Sequence, residues 1–204
     1  MVLYRVTHTN TPEEVDDFLR TWIPDLQEFD ARSRKNHLFL AEEVVEGDAN
    51  LVWHPELGKI VRLAESAQTL ITTLEGCLLE TGRTDANGEL LERLRGCTFS
   101  ETVNQLRDKD ALDAVVNGGK AELGLTIPRD ELKDISSHND VDIHNSSAYD
   151  NVISQVRVRR VVWPTLLRLG DSFTIILNDK GLSVHIESFQ GLPQVAQDWL
   201  RFTF

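Results

Sequence analysis

Apolar residues recur at helical spacing near the start of the chain, after a strand-like alternation that ends at Val6. They stand three or four positions apart: Val15, Phe18, Leu19, Trp22 and Ile23. Thr11 has a side chain that caps helices, and Pro12 suits a first helical turn, where a missing amide hydrogen costs nothing. The pattern predicts a strand followed by a helix that turns one face to a core.

The longest apolar pattern lies in the middle of the chain, after Pro55. Its members alternate spacings of three and four residues: Leu57, Ile60, Ala64, Ala67, Ile71, Leu74 and Leu78. This is the seam of a heptad repeat, so it predicts a long helix, and shorter helical patterns follow it. We therefore predict a helical segment over about residues 55–118. The seam over residues 57–78 either packs within its own domain or forms a helical dimer.

Strand-like alternation dominates the chain from about residue 120 to residue 190. Apolar and polar residues alternate from Val152 to Trp163, and two later apolar runs flank a turn that ends in Gly181. Strands and helices are thus segregated along the chain, which is typical of an α+β fold. We predict one domain over residues 1–204, in which the N-terminal strand joins the C-terminal strands in a mainly antiparallel sheet, with a helical middle segment.

The charge of the chain narrows the classes of partner. Its 204 residues include 33 acidic and 21 basic side chains, for a net charge of -12. Such a charge repels phosphate backbones and anionic lipids, so we expect neither bulk nucleic-acid binding nor membrane binding. No apolar run in the sequence is long enough to cross a bilayer. Cys77 and Cys97 lie in contexts that predict buried free thiols, and we expect a cytoplasmic location.

One polar segment carries side chains that bind metal ions. His138, Asp140, Asp142 and His144 occupy alternate positions, so in an extended chain all four lie on one face. Imidazole and carboxylate groups are ligands of zinc, manganese and ferrous iron. The pattern suggests a divalent metal as cofactor, and a metal-dependent phosphoester hydrolase or nuclease as a function. An exposed polar loop or edge strand is the alternative interpretation.

Three arginines form a locally positive stretch in this acidic chain: Arg157, Arg159 and Arg160. No acidic residue occurs between Asn151 and Gly170. Outward-facing arginines on a strand bind phosphate or carboxylate groups through two parallel hydrogen bonds. We take the stretch as a candidate binding site, and ion pairs with neighbouring carboxylates are the alternative.

The sequence leaves the choice between an enzyme and a binding protein open. It contains no glycine-rich phosphate loop and no nucleophile elbow. Its negative charge favours a non-catalytic interaction protein, of inhibitor, immunity or adaptor type, that binds a basic surface of a protein partner. The densest acidic runs, residues 12–17 and 42–48, are both short. The metal-dependent hydrolase is the alternative function.

Overall fold

The computed structural model describes most of the chain. The described residues are 4–23, 26, 31–84, 88–92, 94–146, 148–166, 172–177 and 182–201. They form a mixed α+β structure whose strand pairs are mostly antiparallel, which confirms the predicted fold class at this level. Among these residues, no helix combines the length and the apolar character needed to cross a membrane.

The secondary structure contains strands throughout the chain. The elements are β1 (Arg5–Val6), α1 (Pro12–Trp22), α2 (Ala31–Glu46), β2 (Asn50–His54), β3 (Lys59–Thr72), β4 (Gly76–Thr84), β5 (Leu90–Glu92), β6 (Phe99–Thr102), α3 (Ala111–Leu123), a 3₁₀ turn (Arg129–Glu131), β7 (Lys133–Asp134), β8 (Val141–Asn145), β9 (Val152–Pro164), β10 (Ser172–Leu177), β11 (Leu182–Gln190) and α4 (Gln194–Arg201). Strand β3 lies in the predicted helical segment, whereas β9 lies in the predicted strand-rich part.

The chain divides into two compact units. Unit 1 consists of Met1–Ser66, Thr102–Lys109 and Asp140–Val158, and unit 2 consists of Ala67–Glu101, Asp110–Asn139 and Arg159–Phe204. Each unit contains a hydrophobic cluster of its own. The expectation of a single domain stays a prediction.

Helix α1 forms where the sequence predicts it. Thr11 and Glu14 close a capping box, in which the Glu14 amide donates to Thr11 Oγ1 at 3.3 Å and the Thr11 amide donates to Glu14 Oε2 at 2.9 Å. Pro12 occupies the first turn. The local sequence thus starts the helix at the predicted residue.

The core of unit 1 lies between its strands and the helices α1 and α2. Most of its buried members come from the first three strands and from both helices: Val6, Val15, Phe18, Leu19, Leu40, Val44, Leu51 and Ile60. Each large apolar side chain that leaves water contributes roughly 1.5–3 kcal/mol to folding. This cluster fixes one face of each helix against the strands and leaves the opposite helix faces outward.

The predicted helix in the middle of the chain is wrong. Residues 55–58 form the turn between β2 and β3, where Gly58 has a φ of +57°, and β3 follows at once. The seam over residues 57–78 is divided between strands and turns, so the predicted helical dimer has no helix to form it. Strands prevail because β-branched residues are frequent, as in the run 69–73, and because both faces of β3 are at least partly buried.

The remainder of the predicted helical segment consists of short strands, connecting segments and one helix. Within the described part of residues 55–118, α3 is the one helix, and it contains a glycine pair, Gly118 and Gly119, and extends to Leu123. A Cβ at Gly118 would lie 2.2 Å from Glu101 Cγ, and one at Gly119 would lie 2.3 Å from Ile127 Cδ1. The two glycines therefore allow close packing inside the helix, which ends at Gly124 with a φ of +64°.

The core of unit 2 joins β4 to the C-terminal elements. β11 pairs antiparallel with both β4 and β10, which confirms the predicted hairpin, although its turn residues 178–181 lie outside the described residues. The core cluster contains Leu70, Cys77, Leu79, Cys97, Ala196 and Trp199. Both cysteines are buried free thiols, as predicted, and burial raises the pKa of Cys77 to about 11.

Candidate functional site

The predicted metal ligands lie in or beside an exposed strand. β8 is extended, as the metal hypothesis requires, and all five of its residues are exposed. Asp142 and His144 share one face, with His144 Nδ1 3.3 Å from Asp142 Oδ2. Asp140 precedes the strand in unit 1, whereas His138 belongs to unit 2. Across the described ranges, no group of three or more His, Cys, Asp or Glu side chains is arranged to hold a metal ion, so the metal site stays a prediction.

Two of the three candidate arginines have structural contacts inside unit 2. Arg159 forms an ion pair with Asp134. Burial alone would raise the pKa of Asp134, but hydrogen bonds from Ser136 and Arg159 outweigh burial and lower the pKa below its ordinary value. Arg160 Nη1 donates to the carbonyl oxygen of Trp199 at 2.7 Å, and its guanidinium lies 5.6 Å from the centre of the indole ring. These contacts stabilise unit 2.

Arg157, the third arginine, belongs to unit 1. It lies on β9 directly opposite Val141 of β8, and its side chain is exposed. Together with Arg5 it lines a cleft of about 310 Å³. No described residue forms an ion pair with Arg157.

Helices α1 and α2 pack side by side in unit 1 and form a groove. The cavity in this groove has a volume of about 480 Å³. Its lining, which we call the α1–α2 groove, consists of Pro12, Glu13, Asp16, Arg20, Leu38, Ala41, Glu42, Val45 and Glu46. The two acidic runs that are short and separate in the sequence therefore line one groove.

One side of the groove is apolar. Leu38, Ala41 and Val45 follow one another at helical spacing along α2, whereas Leu40 and Val44 of the same helix enter the core of unit 1. Leu38 remains 61% exposed. Ala41 and Val45 are partly buried and pack against the core of unit 1, so the apolar side of the groove runs from the edge of that core to the exposed Leu38.

The rim of the groove is acidic. Arg20 Nε lies 2.6 Å from Asp16 Oδ2, one turn away on α1, so these two charges compensate each other. Glu13, Glu42 and Glu46 are exposed, and none of them forms an ion pair with a residue that the structure describes. The groove thus combines an apolar side with three carboxylates that have no ion pair among the described residues.

Glu43 shows that other carboxylates of the same helix are used internally. Arg62 donates to Glu43 twice, from Nε at 2.7 Å and from Nη2 at 3.2 Å. Burial, and next to it the Glu43 carboxylate, raise the pKa of the Tyr149 hydroxyl. Glu43 therefore ties α2 to β3, whereas Glu42 and Glu46 face away from these contacts.

A second cavity extends the groove within unit 1. It has a volume of about 400 Å³ and shares Asp16, Arg20 and Leu38 with the first cavity. Its wall includes His37, which is 3% exposed and whose Nε2 lies 3.2 Å from the carbonyl oxygen of Asp150. The two cavities are therefore neighbours beside α1 and α2.

The groove is the feature that sequence analysis missed. Its pattern is present in the sequence, because Leu38, Ala41 and Val45 are spaced as on one helix face and Glu42 and Glu46 are one turn apart. The pattern becomes informative only once residues 31–46 are known to be helical. In the comparison with known proteins, no protein-family model and no curated protein matches the chain.

Proposed function

We propose that the protein is a non-catalytic interaction protein of inhibitor, immunity or adaptor type, and that it binds a basic segment of a partner protein in the α1–α2 groove. The observation that carries the proposal is the apolar stripe of α2 beside three exposed carboxylates without a described partner, those of Glu13, Glu42 and Glu46. These three carboxylates form no ion pair with a described residue, so they are available to a cationic ligand.

An amphipathic helix with a basic rim fits such a groove. Its apolar side chains, three and four residues apart, would contact Leu38, Ala41 and Val45. Lysine or arginine side chains at the flanks would reach Glu42 and Glu46 on α2 and Glu13 on α1. Two adjacent helices present a concave surface into which the side chains of a third helix pack.

The apolar side and the acidic rim have different roles in this proposal. Removal of apolar surface from water contributes about 25 cal/mol per Å², so the stripe on α2 provides most of the affinity. Exposed ion pairs contribute only about 0–1 kcal/mol each. Uncompensated carboxylates nevertheless repel acidic segments and attract basic ones, so the rim determines which partner binds and how fast it associates.

A designed peptide tests this recognition directly. The probe is a helical peptide of about 18 residues with leucine on one face and lysine on the other, and the matched peptide has glutamate in place of lysine. Fluorescence anisotropy should show binding of the lysine peptide, weakened when NaCl rises from about 50 mM to about 500 mM. The glutamate peptide should not bind.

Charge-reversal variants locate the binding site. The double variant Glu42→Lys/Glu46→Lys should weaken binding of the lysine peptide by about tenfold or more. The control Asp130→Lys/Glu187→Lys makes the same change in net charge at two exposed positions of unit 2, and it should leave the affinity within about twofold. Equal weakening by both double variants would show that overall charge, not the groove, attracts the peptide.

A further inference from the structure

The cleft beside Arg157 lies on the strand face of unit 1 that does not pack against the helices. Val6 and Leu51 turn toward the core shared with α1 and α2. Side chains alternate along a strand, so Arg5 and Asn50, the residues just before them, belong to the opposite face. This second face is therefore independent of the α1–α2 groove, and a ligand there would be a separate function.

Two cations in the cleft have no counterion within the described ranges of the chain. Arg5 and Arg157 both line it, both are exposed, and neither forms an ion pair with a residue in the described part of the chain. Other arginines of unit 1 are used differently, because Arg62 binds Glu43 and Arg107 binds Asp108. A pair of uncompensated guanidinium groups at one concave site is suited to an oxyanion.

Asn50 provides a second, independent observation. It lines the same cleft, its side chain is only 5% exposed, and its buried Oδ1 accepts no hydrogen bond from any described residue. Buried carboxamides in folded proteins nearly always have partners, because an unsatisfied one loses its hydrogen bonds to water. Asn50 Oδ1 is thus a buried acceptor at the cleft that has no hydrogen-bond donor among the described residues.

The remaining lining limits the charge and shape of the ligand. Glu65 contributes one carboxylate, so the ionised side chains of the cleft sum to a charge of about +1 at neutral pH. Leu63, Ala64 and Val141 form an apolar part of the wall. A ligand with one negative charge and a short hydrocarbon chain complements both features, whereas a polyanion would meet the Glu65 carboxylate.

We propose that this cleft binds a small aliphatic monocarboxylate. The carboxylate lies between Arg5 and Arg157 and accepts hydrogen bonds from both guanidinium groups. The hydrocarbon chain lies on Leu63, Ala64 and Val141, and Asn50 offers a further hydrogen bond. The site does not depend on the proposed binding of a basic partner.

Calorimetric titration with butyrate, butyramide and inorganic phosphate tests the class of ligand. Butyrate should bind to the full-length protein, while butyramide, which has the same shape without the charge, should bind at least about tenfold more weakly. Phosphate, which lacks a hydrocarbon chain, should also bind more weakly than butyrate. Equal binding of butyrate and butyramide, or tighter binding of phosphate, would overturn the proposal.

Variants at exposed positions locate the butyrate site without disturbing the core. Arg5→Gln and Arg157→Gln should each raise the dissociation constant for butyrate by about tenfold, since each removes a charge-assisted hydrogen bond. Arg201→Gln, an exposed arginine on α4 of unit 2, is the matched control and should leave the constant unchanged. Butyrate binding that survives both cleft variants would place it elsewhere and refute this assignment. Circular dichroism verifies that the variants are folded.

Discussion

Glu80 of unit 2 and two groove carboxylates of unit 1 lie in different environments. In unit 2, Glu80 is fully buried, and it accepts hydrogen bonds from Arg83 at 2.7 Å and 3.2 Å. Arg95 Nη1 lies 3.5 Å from Glu80 Oε2. In unit 1, the exposed carboxylates Glu42 and Glu46 have no ion pair within the described residues. The ion pairs of Glu80 stabilise the interior of unit 2, whereas Glu42 and Glu46 leave negative charge at the surface of unit 1.

This difference helps to separate structural charges from charges that are available to ligands. A buried carboxylate loses its hydration and persists only where cations and hydrogen bonds compensate it, so the partners of Glu80 follow from its burial. An exposed carboxylate has no such requirement. The clustering of several such groups beside an apolar stripe therefore needs another reason, and ligand binding provides one.

The largest effect is expected at Glu80. Glu80→Ala leaves Arg83 and Arg95 without their carboxylate and opens a space beside the core, so the free energy of unfolding should fall by about 2–4 kcal/mol. Urea denaturation followed by circular dichroism measures this loss. Glu13→Ala in unit 1 is the control and should change the free energy by less than about 1 kcal/mol, because it removes only an exposed charge at the N-terminus of α1. Similar losses in the two variants would remove the contrast between the buried and the exposed carboxylate.

A smaller effect is expected from acid at Asp134, because its pKa is lowered in the folded state. A carboxyl group with a lowered folded pKa stabilises the fold above its unfolded pKa, and this contribution is lost as the pH falls through the folded value. NMR titration of the Asp134 carboxyl should give a midpoint below the ordinary value of 3.8. Arg159→Gln should move that midpoint upward by removing the ion pair.

Denaturation at several pH values gives the matching stability test. The wild type should lose more stability than Asp134→Asn as the pH falls below about 4, because the variant has no proton to gain at this position. Parallel curves for the two proteins would contradict a stabilising role for the Asp134 carboxylate. Its partners, Ser136 and Arg159, belong to the same unit, so the effect reports on unit 2 alone.

Local patterns predicted part of this fold and failed where tertiary packing decides. Helix α1 was predictable because its capping box and its apolar stripe lie within one short segment. Strand β3 was not, because a strand buried on both faces has apolar residues at spacings that imitate a heptad. The hydrogen bonds that β2 and β3 exchange are invisible in a pattern of single residues.

The candidate sites show the same limit. Arg157, Arg159 and Arg160 are alike in sequence, and only the positions of Asp134 and Trp199 separate the engaged pair from the arginine at the cleft. The acidic runs of α1 and α2 are far apart in sequence and line one groove only because the helices pack together. Residue type and spacing therefore identified candidates, while long-range contacts decided which of them remain available.

The smallest effect on stability, and the sharpest test of the contrast, is expected in the groove itself. Glu42 and Glu46 are like charges one helical turn apart, and such pairs destabilise a helix by about 0.2–0.5 kcal/mol. Glu42→Gln/Glu46→Gln should therefore leave the free energy of unfolding unchanged or raise it by that amount, and high salt should remove the gain. Glu43→Gln, which weakens the contact with Arg62, should instead lower the free energy of unfolding by about 1 kcal/mol.

The double variant also tests whether its carboxylates are structural. A fall of more than about 1 kcal/mol in its free energy of unfolding would show that they are. Unchanged stability together with weaker peptide binding would mean that the charges of Glu42 and Glu46 are needed for binding the partner and not for folding.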